Sequence, residues 1–337
     1  MNRCAVLVIA WVSCLVAPTA AAQAFRFPTA NQALLEPGRE DQFFVGAVGK
    51  PWTTGTFGCV RTEGHQLHEG LDIRCLQRDS RGEPIDPVMA TAEGIISYIN
   101  PRPALSNYGR YLVIQHAVPG LDIYSLYAHL SHVRDDLKVG SPVKAGEVVA
   151  IMGRSSNTRE GISKDRAHVH FEVDIMINER FAAWFDQTFP GQRNDHGQWN
   201  GRNLLGIDPA VVLKESATRG SNFSLLDMLR RQREMCRVVV KQPSLSWVRR
   251  NPALMHPNPR AQKEGVAGYE LALNFMGIPF EFTPRSAAEL QGIEPFQLQS
   301  TSEVVVQTFP CQHIVTLRHG RWELSHHGQE QLELFGY

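Results

Sequence analysis

The chain has no surplus of charge: 34 Lys and Arg balance 34 Asp and Glu over 337 residues. Without a net field of either sign, nothing in the total draws the protein to a nucleic acid, and no nucleic-acid partner is expected. Long apolar runs are missing as well. The one candidate, residues 5–16, is too short to cross a bilayer, so no transmembrane segment is expected in the mature chain. That run follows a single charge, Arg3, and precedes small residues ending Ala20-Ala21-Ala22-Gln23-Ala24. Residues 1–24 therefore read as a secretory signal peptide, with cleavage options after Ala22 or Ala24. Cys14, preceded by Trp11-Val12-Ser13, makes a poor lipoprotein signal. An exported protein, periplasmic or secreted, is the expectation.

Cysteine is scarce too. Beyond residue 24 only Cys59, Cys75, Cys236 and Cys311 remain, an even number in an exported chain. The simplest pairing joins Cys59 to Cys75 and Cys236 to Cys311. The first bridge would close a short loop, worth roughly 3 kcal/mol in the chain-entropy model, around the residues between them. What remains after residue 24 is longer than a usual single domain, so two are expected.

Histidine, by contrast, is concentrated where chemistry is possible. Residues His68-Glu69-Gly70-Leu71-Asp72 are followed about a hundred positions later by His168-Val169-His170-Phe171-Glu172. On a strand His168 and His170 project to one face, roughly 6.5 to 7 Å apart. One can bind a metal while the other reaches a water, and spacing alone leaves either as the ligand. His68 and Asp72 share a face if their segment is extended, with Gly70 letting the backbone bend. Two imidazoles and a carboxylate leave a fourth tetrahedral position open, the ligand count of a catalytic zinc site. A His-Glu-x-x-His helix is excluded, because position 72 is Asp, and Glu69 is then not the general base of such a site. Glu172 has the parity of His168 and His170 and could orient a ligand. His65, His116 and His132 are expected to be surface or packed groups, His116 near the site.

These motifs resemble the lysostaphin-type (LytM-type) zinc metalloendopeptidases, a family of peptidoglycan hydrolases. The resemblance spans residues 52–213 and includes Phe57-Gly58-Cys59-Val60-Arg61, Asn107-Tyr108-Gly109, Tyr127-Ala128-His129-Leu130 and Ile207-Asp208-Pro209 beside the two histidine motifs. It implies that His68, Asp72 and His170 hold Zn2+, that His129 and His168 are the unligated catalytic pair, and that peptidoglycan peptides are the partners. Two other classes are weighed beside this one: a catalytically silent binder that activates another wall hydrolase, and an exported zinc peptidase acting on proteins. The silent binder is expected to lack metal ligands, and this chain has them.

Short apolar runs broken by Gly and Pro make residues 51–213 mainly β, an antiparallel sheet with an open groove suited to an extended peptide. Residues 25–50 read as an irregular lead-in. The polar loop 154–167 and the aromatic insertion 178–203 flank the second motif and could wall the groove; the insertion could equally form a small core of its own. Residues 214–337 read as a small α+β domain, with a helix capped near Ser221-Asn222, a strand at Cys236 and a hairpin turning at His319-Gly320. Its first part, 219–263, carries ten basic residues against two acidic, and 264–337 three against nine. No catalytic constellation is visible there.

Overall fold

Nine consecutive residues of the strand His168–Met176 are buried, and their alternation organises the molecule. Val169, Phe171, Val173 and Ile175 point into the main core, whereas His168, His170, Glu172 and Asp174 carry polar groups on the other face. The structure, a computed structural model, describes residues 24–337. The signal-peptide reading falls outside the described residues except at Ala24.

The His168–Met176 strand sits within a seven-stranded antiparallel sheet in the order Leu204–Ile207, His168–Met176, Leu121–Leu130, Arg110–Val118, Gly94–Asn100, Pro142–Val143. Leu71–Arg74 pairs with its first half, on the edge that Leu204–Ile207 takes further along. A smaller sheet of Pro87–Met89, Val148–Ile151 and His132–Val133 packs nearby. The mainly β, antiparallel expectation therefore holds. The lead-in 25–50 is less peripheral than its composition suggests: Phe25, Phe27, Phe43 and Phe44 are buried in the main core, and Val45 N donates to Asp72 O at 2.9 Å.

After Leu204–Ile207 the chain turns into the helix Pro209–Arg219. Asp208 caps it by accepting from Ala210 N and Val211 N, with Pro209 in the first turn. The next helix, Leu225–Arg230, is capped by Ser224 rather than by Ser221 or Asn222, which lie in a preceding 3-10 turn. A second sheet, ordered Pro279–Arg285, Gly268–Leu273, Cys236–Val240, Phe296–Thr301, follows, with the hairpin Val315–Arg318/Arg321–Leu324 and the helix His326–Gly336. The basic stretch is largely neutralised within the chain. Arg237 meets Glu234 and Glu270, Arg219 and Arg231 share Glu215, and Arg260 meets Glu264.

The disulfide expectation is overturned. Cys59 pairs with Cys311, Cα to Cα 5.3 Å, across 252 positions, while Cys75 and Cys236 are free and buried. Proximity in sequence failed because each thiol follows its own element. Cys75 ends the Leu71–Arg74 strand and its Sγ lies 3.1 Å from Asp86 Oδ2. Cys236 is wholly buried in the second sheet. The Gly58–Arg61 strand instead pairs with Gln66–His68 in a separate two-stranded sheet beside the C-terminal part, where Phe57 packs on Phe275 and Phe275 stacks on Phe309.

Candidate active site

Register brings the histidine motifs together. His170 lies directly opposite Asp72 on one neighbouring strand and Ala128 on the other, so Asp72 and His170 share a face by cross-strand pairing. His68 enters from the end of Gln66–His68. Gly70 is needed between His68 and Asp72 for close approach rather than for flexibility: a Cβ there would lie 2.4 Å from Phe171 O.

The three side chains converge. His68 Nε2 is 3.1 Å from Asp72 Oδ1 and 3.1 Å from His170 Nδ1, and His170 Nδ1 is 3.0 Å from Asp72 Oδ1. Their ligand atoms all lie within 4.8 Å of one another, and the set could hold a metal ion. The outer nitrogens are held in turn. His68 Nδ1 is 2.8 Å from Thr56 O, which can only accept, so it carries a proton and Nε2 is aimed inward. His170 Nε2 is 2.7 Å from Glu172 Oε1, which likewise leaves Nδ1 aimed inward. Arg61 Nη2 donates to the other Asp72 oxygen at 2.6 Å.

His168 and His129 stand beside this group, their rings 4.8 Å apart. His168 Nδ1 donates to Arg166 O at 2.6 Å and its Nε2 is 3.5 Å from Asp72 Oδ1. His129 Nδ1 donates to Ser155 O at 3.0 Å. In both, the backbone carbonyl fixes the Nδ1–H tautomer and leaves Nε2 as an acceptor. His129 reaches this face by an irregularity. Leu126 and Ala128 belong to the cluster on the groove face and Tyr127 to the main core, so period two would send His129 away from the site. Between the pairs Arg110–Leu130 and Leu112–Tyr127 the register shifts by one residue. His129 takes φ 62° within that bulge, and Leu130 returns to the main core. A bulge that re-aims a side chain beside a site is a recurrent device.

Electrostatics follow from these contacts. Burial opposes ionisation of Asp72, but the imidazoles of His68 and His168 and hydrogen bonds from His170 and His68 outweigh it, holding its carboxyl well below the usual range. Burial likewise opposes charge on His170, but hydrogen bonds to Asp72 and Glu172 push it up to about 10. Burial and the neighbouring imidazoles of His168 and His170 hold His129 well below its ordinary value. Burial also lowers His168, against the pull of Asp72.

Behind His170, Glu172 accepts from Tyr108 Oη at 2.7 Å and abuts Asp174. Burial and the charge of Glu172 raise Asp174 well above the carboxylate range. Tyr108 entered the sequence reading only as part of the motif Asn107-Tyr108-Gly109, with no role given to it, and Asp174 did not stand out, although it has the parity of the histidine motif. His116 is packed as expected, between Glu93 O and Ser125 Oγ, but opposite Ile123, five residues along the strand from Ala128 and so away from the site. His65 and His132 are exposed.

A cleft of about 490 Å³ opens over these groups. The loop 154–167 walls it through Thr158, Glu160, Ile162 and Arg166, and is pinned by Arg154 and Lys164 on Glu83. The insertion 178–203 does two things. Phe181, Trp184 and Phe185 bury themselves on its helix, whereas Asn200, Gly201 and Arg202 form the opposite wall of the cleft. Trp199 packs over Tyr98 and Tyr124 and its carbonyl accepts from Tyr111 Oη, covering the sheet face beyond Tyr108.

Residues 66–181 match Peptidase family M23. No curated protein matches the chain. Among solved structures, a protein of Ruminococcus gnavus described as a glycyl-glycine endopeptidase lytM is 23% identical over 45% of this chain, with a TM-score of 0.30, and the match spans 47% of that protein's length. The catalytic domain of lysostaphin from Staphylococcus simulans is 20% identical over 48% of this chain and 87% of its own, with a TM-score of 0.27. A zinc-containing peptidase from Vibrio cholerae is 25% identical over 40% of this chain and 37% of its own, again with a TM-score of 0.27. The segment that brings His68, Asp72, His129, His168 and His170 to one cleft is thus a domain of peptidase family M23.

Proposed function

We propose that this chain is an exported zinc peptidase that hydrolyses peptide bonds of peptidoglycan. The observation that carries the reading is the convergence of three potential ligand atoms, His68 Nε2, Asp72 Oδ1 and His170 Nδ1, at separations of 3.0 to 3.1 Å. A tetrahedral zinc with bonds of roughly 2.0–2.1 Å has donor separations of about 3.3 Å, so the donor set fits the ion. Charge fits as well. Hydrogen bonds to Asp72 and Glu172 favour positive charge at His170, and a divalent ion held there would serve the same two carboxylates.

His68, Asp72 and His170 are assigned as the ligands. Zinc held there supplies Lewis acidity toward a scissile carbonyl and lowers the pKa of a water. His129 and His168 present Nε2 as acceptors, their Nδ1 protons committed to carbonyls, and one of them takes the water proton at Nε2 before passing it to the leaving amine. While it holds that proton, the charged ring, or the other of the pair, stabilises the oxyanion of the tetrahedral stage. Export is supported by the Cys59–Cys311 disulfide, which belongs to an oxidising compartment, and among the described residues no helix is long and apolar enough to cross a membrane.

Two measurements test the proposal. Purified sacculi incubated with the zinc-loaded protein should release muropeptides whose masses identify a cut peptide bond. Asp72→Ala and His170→Ala should each lose zinc and activity, whereas His129→Ala and His168→Ala should stay folded and largely metal-loaded yet lose at least about a hundredfold in rate, the usual scale of acid–base catalysis. Intact muropeptides after digestion, or wild-type zinc content in the first two variants, would refute it.

A further inference from the structure

We propose that Arg166 forms a subsite for a substrate carboxylate beside the reacting bond, so that the preferred peptides carry a free carboxyl group next to the cleaved linkage. The inference rests on the peptidase reading and narrows its substrate class.

Arg166 lines the cleft two residues before His168. Its carbonyl accepts from His168 Nδ1 at 2.6 Å, and its own Nε donates to Gly46 O at 3.0 Å. Those bonds fix the backbone and the inner edge of the guanidinium. The two terminal nitrogens make no hydrogen bond and no ion pair among the described residues. The other arginines around the cleft are engaged. Arg61 is bound to Asp72 at 2.6 Å and to Thr54 O at 3.2 Å, Arg154 to Glu83, and Arg202 lies at the exposed rim over the Phe189 ring at 4.6 Å.

Asp72 and Glu160 are near enough to act on the charge of Arg166 without pairing with it. A half-buried guanidinium that stays charged and offers two free N–H edges is matched by a planar carboxylate, which can take both at once. A neutral amide cannot. Because Arg166 is joined through its own carbonyl to His168, a carboxylate seated there is registered against the groups that act on the bond. Peptides whose carboxyl groups are free are therefore favoured over neutral strands such as polyglycine.

The test uses full-length zinc-loaded protein and matched short peptides that differ only in a carboxylate or carboxamide on the residue flanking the cleaved bond. Wild-type protein should favour the carboxylate member by about ten- to a hundredfold in kcat/KM, the range of a charge-assisted pair, chiefly through KM. Arg166→Gln should bring the ratio near one with zinc content unchanged, and Arg166→Lys should restore part of it. Calorimetry with the product peptides gives a second readout, with the free-acid product binding more tightly to wild type and not to Arg166→Gln. Equal treatment of both members by wild type, or a preference that survives in zinc-loaded Arg166→Gln, would overturn the subsite. If wild type cleaves neither member nor any muropeptide, the peptidase reading fails instead, and the calorimetric difference alone decides whether Arg166 holds a carboxylate. Should Arg166→Gln not fold, an Arg166→Lys ratio equal to wild type would overturn the subsite.

Discussion

Both carboxyl oxygens of Asp174 are buried without a donor in reach, and its neighbour Glu172 is already committed to His170 and Tyr108. Only as a protonated acid can Asp174 donate to Glu172. The acid is nearly isosteric with an amide, so Asp174→Asn should keep the bond without needing a proton. Because the folded state raises this pKa, the penalty is absent below about pH 3.9, where the unfolded chain is protonated too, and grows by up to about 1.4 kcal/mol per pH unit above it until the folded pKa is passed. Asp174→Asn should therefore match wild type in thermal unfolding near pH 4 and exceed it at pH 7. A constant difference across that range would show that Asp174 is ionised in the folded protein. Of the five side chains that meet in the cleft, four were legible as candidates from period two, namely His68, Asp72, His168 and His170. His129 was not: alternation counted along Leu121–Leu130 sends it to the wrong face, and only its resemblance to a family motif marked it. Arg166 lies in a loop with no periodic pattern to expose it.

At the scale of elements, the site depends on how closely the His68–Asp72 segment lies against the His168–Met176 strand. Gly70 sets that approach, since an added methyl would meet Phe171 O at 2.4 Å and Glu172 Cγ at 2.8 Å. Neither atom belongs to a flexible end, so Gly70→Ala must push the segment outward. We expect destabilisation of about 1–3 kcal/mol, the usual range for overpacking, and at least about tenfold weaker zinc retention, since displaced supports of a metal site cost that much. Thermal unfolding and competition with a chelator measure the two, and an unchanged chelator midpoint would count against this role of Gly70. The strands were readable because each alternates or is bounded by Gly and Pro. Their pairing partners were not, because register is a property of two segments and the sequence presents one at a time. The same limit misassigned the cysteines.

At the scale of the molecule, one main core joins the two halves of the described residues. A single hydrophobic cluster runs from Phe25 through Phe171 and Val212 to Trp247, Leu271 and Phe335. Polar ties reinforce it: Asn178 Nδ2 donates to Leu334 O at 2.8 Å, and Arg250 Nη1 meets Asp122 Oδ2 at 2.5 Å. A chain ending at Lys214 would strip apolar cover from Phe25 and Phe57, which rest on Phe223 and Phe275, and would lose Cys311. Such a truncation should show no cooperative thermal transition near that of the full chain; a sharp transition within a few degrees of it would establish the part up to Lys214, lead-in included, as independently stable. The Cys59–Cys311 bond also has a covalent consequence. It closes a ring that contains His68, Asp72, His129, His168 and His170. One proteolytic nick in the loop 154–167, between His129 and His168, would open that ring without dividing the molecule, so all five side chains would stay on a single covalent piece until a reductant arrived.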